Sequence, residues 1–325
     1  MTAPVATLEG SRGRLLFLAR WAAGLLILSV LAYFLPIAQL RNAISGISPV
    51  LFFALLLFYL LALSVGIAKW HLVVNSADAR LPFSVSAQCY AGGLFGALFI
   101  PSIVGGDVVR LAVGISRSPR PASVVTGNVV DRLLDIAAQL TLVSLGLGLF
   151  PGPLPHLFKI PTRHLWIGGS LAAIGVIVFL TIIPRLLRGR SIQFRRRLAQ
   201  LHQAAQAVAN RPYRIFFGWL LGLCVQGTFL VITALLGVAC GLHLPFRAWL
   251  FAWPLSKIAG VLPITQGGIG VRETAMVALL VPFGAPAARV LATGIAAEGI
   301  IIAGGLIAGL TAFLLRRWDS SRQVK

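Results

Sequence analysis

The chain has 325 residues, of which 58% are hydrophobic and only 11% charged, and its mean hydropathy is +0.91. This composition excludes an ordinary water-soluble domain and predicts an integral membrane protein. The net charge of +20 does not indicate a nucleic-acid partner, because most basic residues are arginines in short loops between apolar runs, without interleaved stacking aromatics.

Apolar runs of about 20 residues recur along the chain, and this is the length that an α-helix needs to cross a bilayer. Two further apolar regions are interrupted in the middle and are predicted to enter the membrane and return to the same side. We therefore predict an all-α polytopic protein with about six full transmembrane helices and two re-entrant broken hairpins. The predicted spans are 15–36, 49–68, 123–150, 165–184, 214–240 and 287–315, and the hairpins are 83–116 and 247–283.

Arginine placement sets the predicted topology. The tail 1–14 and the strongly basic segment 185–214 are predicted to be cytoplasmic, since cytoplasmic loops carry an excess of Lys and Arg. With the hairpins counted as re-entrant, 151–164 becomes an outer loop and the basic tail 316–325 returns to the cytoplasm.

The basic segment 185–214 also has an apolar face. Leu198, Leu201, Ala205 and Val208 recur at helical spacing, which predicts an amphipathic helix on the inner leaflet in contact with anionic lipids. The alternative is a solvated charged loop.

The two hairpins carry matching sequences, in which Pro, Gly-Gly and Arg coincide at identical offsets. The displacement is 162 residues, half of the chain length, which indicates an internal duplication. The repeats are then 15–150 and 165–315, and an odd number of crossings in each makes the second inverted relative to the first. The matched residues are Pro101, Gly105, Gly106 and Arg110 in the first half and Pro263, Gly267, Gly268 and Arg272 in the second.

Glycine-lined hairpin tips expose backbone amides, and the helix that follows directs its positive dipole end to the same place. Arginine beside such a tip favours an anion with several acceptor oxygens, so we predict a site for a lipid headgroup phosphate. The alternative is that the glycines only permit close helix packing. The predicted headgroup residues are Arg110, Arg272, Gly105, Gly106, Gly267, Gly268, Gly270 and Lys257.

Acidic residues inside the membrane are costly unless they are paired or hydrated. Residues at steps of three and four on span 123–150 form one polar stripe, namely Asn128, Asp131, Arg132, Asp135 and Gln139. Glu298 stands alone on its span and requires a partner, for which Arg110, Arg272 or Lys257 are available. The residues predicted to balance charge or to bind a proton or cation are Asp107, Asp131, Arg132, Asp135, Glu273 and Glu298. The alternative is that these are static ion pairs that fix the helix bundle.

Three segments resemble one known family. They are Gly105-Gly106-Asp107-x-x-Arg110, Asp131-Arg132-Leu133-Leu134-Asp135 and Leu262-Pro263-x-x-x-Gly267-Gly268-Ile269-Gly270-Val271-Arg272-Glu273. Together they resemble the transmembrane flippase region of lysylphosphatidylglycerol synthases and its stand-alone UPF0104-type relatives. Asp131 departs from that pattern, since the family commonly has Glu there.

The resemblance implies lipid translocation across a bacterial inner membrane, with an aminoacylated phosphatidylglycerol as the lipid in fused members. The chain ends shortly after its last predicted span, so we expect no synthase domain, and the identity of the lipid does not carry over. We expect a flippase-like transporter and not an enzyme, without cofactor or metal, in the inner membrane with both termini cytoplasmic. Expected partners are the lipid substrate, anionic inner-leaflet lipids, and a separate lipid-modifying enzyme or a second copy of the chain.

Two alternatives stay open from the sequence. In the first, the protein is an intramembrane lipid-phosphate transferase in which Asp131 and Asp135 hold Mg²⁺. In the second, it is a non-transporting membrane partner of lipid-synthesis enzymes.

Overall fold

A computed structural model describes residues 42–99, 103–148, 192–260 and 270–323, and within these ranges the regular structure is helical, without β-strands. The helices are α1 (Pro49–Ser76), α2 (Phe83–Phe99), α3 (Ile103–Arg117), α4 (Pro121–Gly148), α5 (Ile192–Ala209), α6 (Pro212–Ala239), α7 (Phe246–Ala259), α8 (Val271–Leu280) and α9 (Ala287–Gln323), with a 3₁₀ turn at Val281–Phe283 between the last two.

Several of these helices are long enough to cross a membrane. Helix α1, helix α6 and the part of α9 from Ala287 to Arg317 are also apolar enough to do so. Helix α4 has the same 28-residue length as α1 and α6, but it carries Asp131, Arg132 and Asp135 in its middle. The chain is therefore a multi-pass helical membrane protein. The predicted spans 15–36 and 165–184 lie outside the described residues, so the count of six spans stays a prediction.

Helix boundaries repeat between the two halves. Helices α1 and α6 both begin with proline, at Pro49 and Pro212, where the missing amide hydrogen costs no helical hydrogen bond. The same separation along the chain relates the first residues of α2 and α7, Phe83 and Phe246. This separation is one residue longer than the 162-residue displacement of the hairpin motifs, and the duplication stays a prediction.

Helix packing is reciprocal between the halves. Helix α1 packs against its counterpart α6, while α2 packs along α9 and α7 packs along α4. Within each half, α2 pairs with α3 and α7 pairs with α8. The hairpin of each half therefore packs against the last helix of the other half.

The broken region 83–116 is an antiparallel helix pair. The two backbones approach closely at Gly93 and Gly106, where a Cβ added to Gly93 would lie 2.8 Å from the carbonyl oxygen of Gly106. Only glycine permits backbones to approach this closely. Region 247–283 is likewise split, into α7 and α8, and the connecting residues 100–102 and 261–269 lie outside the described residues.

The basic linker forms helix α5. Ala204 and Val208 pack against Ala77, whereas Leu201 is exposed. Val208 belongs to the predicted apolar face, but the buried residue one turn before it is Ala204 instead of Ala205, because α5 packs against α4. Beyond its end, Arg211 Nη1 donates to the carbonyls at the C-terminus of α1, at 3.1 and 3.2 Å, as a cation at that end of a helix should.

Candidate functional site

Lys69 lies at the centre of a buried charge cluster. Its Nζ is 2.9 Å from Asp131 Oδ1 and 2.7 Å from Asp135 Oδ1. The side chains of Lys69 and Asp131 are 2% and 1% exposed. The predicted span 49–68 ends just before Lys69, whereas α1 continues to Ser76 and buries this residue.

Arg110 is enclosed beside this cluster. Its Nη1 is 3.5 Å from Asp131 Oδ2 and 3.8 Å from Asp107 Oδ1, and its guanidinium carbon lies 4.2 Å from the ring centroid of Tyr90. Its Nε makes no hydrogen bond within the described part of the chain. A cation held by two carboxylates and an aromatic ring is stabilised where it lies.

The polar stripe of α4 faces protein. Asn128 Oδ1 accepts a hydrogen bond from Trp70 Nε1 at 3.0 Å, and Asn128 and Gln139 are buried. Arg132 lies at the edge of the stripe with a side chain 40% exposed. It forms a two-pronged ion pair with Asp107, in which Nε is 2.7 Å from Oδ2 and Nη2 contacts Oδ1.

A hydrogen-bonded bridge leads from the cluster to Lys257. Gln226 Nε2 donates to Asp135 Oδ1 at 3.1 Å, and Gln226 Oε1 accepts from Lys257 Nζ at 2.7 Å. The ammonium group also lies 4.9 Å from the ring centroid of Trp253 and 5.0 Å from that of Phe229. Lys257 forms no ion pair with any carboxylate of the described residues.

Arg272 connects two carboxylates at the start of α8. Its Nη2 is 2.9 Å from Glu273 Oε1 and contacts Glu298 Oε2. Glu273 Oε2 also accepts from the backbone amide of Gly270 at 2.6 Å. Gly270 has φ 85°, a conformation that favours glycine. Of the three cations available to Glu298, the structure thus pairs it with Arg272.

A cavity of about 250 Å³ lies between the α7–α8 pair and helices α1, α2, α6 and α9. Its charged lining residues are Lys257 and Arg272, and both are cations. Most of the remaining wall is apolar or aromatic. That wall comprises Tyr59, Leu94, Phe229, Ile232, Thr233, Trp253, Ser256, Gly260, Met276, Gly294, Ala297, Ile300 and Ile301.

The predicted site residues fall into separate groups. Lys257 and Arg272 line the cavity, whereas Arg110 belongs to the enclosed cluster with Asp107 and Asp131. Gly106 serves the close packing of α2 and α3, and the amide of Gly270 is already bonded to a carboxylate. Gly105 is buried within α3, and Gly267 and Gly268 lie outside the described residues.

Sequence reasoning missed Lys69, Gln226 and the aromatic wall. The signal for Lys69 was present, because a lone lysine at the end of an apolar run inside one long helix is expensive in lipid unless paired. No comparable signal exists for Gln226, whose role depends on which helices adjoin.

A sequence model of one family, described as "Lysylphosphatidylglycerol synthase TM region", matches residues 20–309. The matched range includes every residue of the charge cluster and of the cavity. A search of curated proteins gave no match.

Proposed function

The chain belongs to the lysylphosphatidylglycerol synthase TM region family, and from that premise we propose that it is a flippase-like translocase that moves a phosphate-bearing anionic lipid between membrane leaflets. The observation that carries the proposal is the cavity whose charged lining residues, Lys257 and Arg272, are both cations.

The chemistry of this cavity suits a lipid headgroup. A phosphate offers several acceptor oxygens to an ammonium and a guanidinium group. The ammonium of Lys257 has no carboxylate to release before it can bind, since its contacts are Gln226 and two aromatic rings. The apolar wall accommodates the glycerol or first acyl carbons, while the tails remain in lipid.

The reciprocal packing supports an inverted-repeat transporter. Two halves that exchange hairpins around an α1–α6 contact provide two equivalent arrangements, one open to each leaflet, as alternating access requires. In this scheme the protein lies in the bacterial inner membrane with both termini in the cytoplasm.

A transferase that uses Asp131 and Asp135 to hold Mg²⁺ is less favoured. The ammonium of Lys69 lies within 3 Å of both carboxylates, in the position between them that a divalent cation would take. The ion pairs instead fit a structural role for these two residues.

Leaflet-resolved transport of a fluorescent phosphatidylglycerol in liposomes tests the proposal. Lys257→Met and Arg272→Ala should each lower the rate about ten- to hundredfold, the equivalent of losing one or two charge-assisted hydrogen bonds. Glu298→Gln should also slow transport, because Arg272 then lacks a charged partner to which it can return.

Two matched variants serve as controls. Lys257→Arg preserves the positive charge and should retain most of the rate. Arg117→Ala removes an exposed arginine at the end of α3 and should have no effect. Native rates in Lys257→Met, Arg272→Ala and Glu298→Gln alike would rule out this site and favour a non-transporting partner.

A further inference from the structure

The network of charged residues that joins the charge cluster to the cavity, taken over the described residues, is electrically balanced. Its cations are Lys69, Arg110, Arg132, Lys257 and Arg272, and its carboxylates are Asp107, Asp131, Asp135, Glu273 and Glu298. The number of cations, five, thus equals the number of carboxylates. An anionic guest therefore adds an uncompensated negative charge to a poorly hydrated region, which is costly unless a cation enters with it.

The geometry identifies the carboxylate that a guest would leave without a partner. When a phosphate binds the guanidinium of Arg272, both Glu273 and Glu298 lose that contact. Glu273 keeps the amide hydrogen bond from Gly270 and is 2% exposed. Glu298 has Arg272 as its ion-pair partner within the described ranges, and its side chain is 18% exposed.

We infer that Glu298 takes up one proton when the lipid phosphate displaces it from Arg272, so that the protein moves a proton together with each anionic headgroup. This inference rests on the proposed function. The proton comes from water on the side to which the cavity is open, and an O–H bond forms on the Glu298 carboxyl group. On release of the lipid, that bond breaks, the proton enters water on the other side, and Arg272 pairs with Glu298 again.

Few other groups near Glu298 could balance the negative charge of its carboxylate. Helix α8 presents Arg272 and Glu273, helix α1 presents Tyr59, and α7 presents Lys257 from across the cavity. The contributions of α6 and α2 to the cavity wall are uncharged, namely Phe229, Ile232, Thr233 and Leu94. Once the two cations hold a phosphate, protonation is the remaining way to neutralise Glu298.

Proton uptake on binding tests the inference without requiring transport. The full chain in detergent is titrated with dihexanoyl phosphatidylglycerol, whose phosphodiester is a monoanion across the neutral range, in a weakly buffered solution with a pH indicator. The native protein should take up about one proton per bound lipid, and its affinity should fall by up to about tenfold for each pH unit of increase. Glu298→Gln should bind the lipid with about one proton fewer taken up than by the native protein, and its affinity should depend less on pH.

Asp78→Asn is the matched control, because it makes the same acid-to-amide change in the loop after α1, away from the cavity wall. It should take up protons as the native protein does. Native binding without proton uptake, or undiminished uptake by Glu298→Gln, would overturn the inference but leave translocation standing. If Glu298→Gln does not fold, a native affinity that is independent of pH would overturn the inference in the same way. Failure of the native protein to bind the lipid would instead contradict the proposed function, and the inference with it.

Discussion

At the scale of single residues, the most consequential side chain is Lys69. It lies between Asp131 and Asp135, and these carboxylates also contact Arg110, Arg132 and Gln226. Burying charges has a large desolvation cost that is offset only when each ion meets its partners. Such a cluster is therefore sensitive to the loss of any one member.

Lys69→Met should lower the free energy of unfolding by about 3–5 kcal/mol, because it leaves two buried carboxylates with a deficit of positive charge. The double variant Lys69→Met/Asp131→Asn should recover part of this loss, since it removes one charge of each sign. Thermal unfolding in detergent measures both. A double variant as unstable as the sum of its two single variants would contradict direct pairing between Lys69 and Asp131.

Residue spacing predicted the stripe of α4, because positions three and four apart necessarily share a helix face. Residue spacing within one helix could not predict which residues of other helices pair with this stripe. Glu298 could be paired with any of three cations from the sequence, and only the approach of α8 to α9 selects Arg272. The predicted span 49–68 excluded Lys69 because the apolar run stops before it, whereas α1 continues to Ser76 with a buried Trp70.

At the scale of elements, the α2–α3 hairpin depends on a glycine contact. A Cβ on Gly106 would lie 2.6 Å from the carbonyl oxygen of Gly93, which backbone atoms cannot accommodate without separating the helices. This contact sets the distance between the two arms.

Gly106→Ala should destabilise the protein by about 1–3 kcal/mol through this overpacking. Gly227→Ala is the matched control, because Gly227 lies inside α6 with no atom within 4 Å of an added Cβ, and there alanine should be neutral or stabilise by up to about 1 kcal/mol. Thermal unfolding in detergent compares the two variants. Equal stability of both would show that the hairpin arms do not need this close approach.

Apolar runs and their interruptions placed some helix boundaries well from sequence alone, although the end of α1 was missed. The predicted span 214–240 is close to α6, and the break within 83–116 falls between α2 and α3. The buried face of α5 includes Ala204 instead of the predicted Ala205, because α5 packs against Ala77, a tertiary partner that periodicity does not reveal.

At the scale of the whole molecule, the hairpin of each half packs against a long helix of the other half. Because the α2–α3 and α7–α8 pairs fold back on themselves, both ends of each hairpin should lie at the same membrane face. Inverted halves should place the two hairpins at opposite faces.

Cysteine labelling with a membrane-impermeant reagent tests this topology in a background without the exposed Cys224. Ser84→Cys and Ser116→Cys should both react from the cytoplasmic side, whereas Phe246→Cys and Val281→Cys should both react from the outer side. Each pair serves as the control for the other. Labelling of Ser84→Cys and Ser116→Cys from opposite sides would contradict the re-entrant arrangement.

The duplication, inferred from the half-length displacement of a short motif, and its inversion, inferred from odd numbers of crossings, both stay predictions. The exchange of hairpins between halves could not be predicted, because similar sequences would also suit two halves that each pack their own hairpin. Which hairpin packs against which helix depends on how closely the helices fit. The glycines of α9 favour the observed packing, because they leave room for side chains of α2.

Helix α9 carries both Glu298 and the glycines that receive α2. Gly305 and Gly309 lie against Leu98 and Phe95 of α2, about two and three turns beyond Glu298 along the same rod. If protonation of Glu298 tilts α9, as the proposed mechanism allows, the tilt would also displace the α2–α3 hairpin that contacts it. On the proposed mechanism, one helix would thus couple protonation of Glu298 to movement of the hairpin from the other half of the chain.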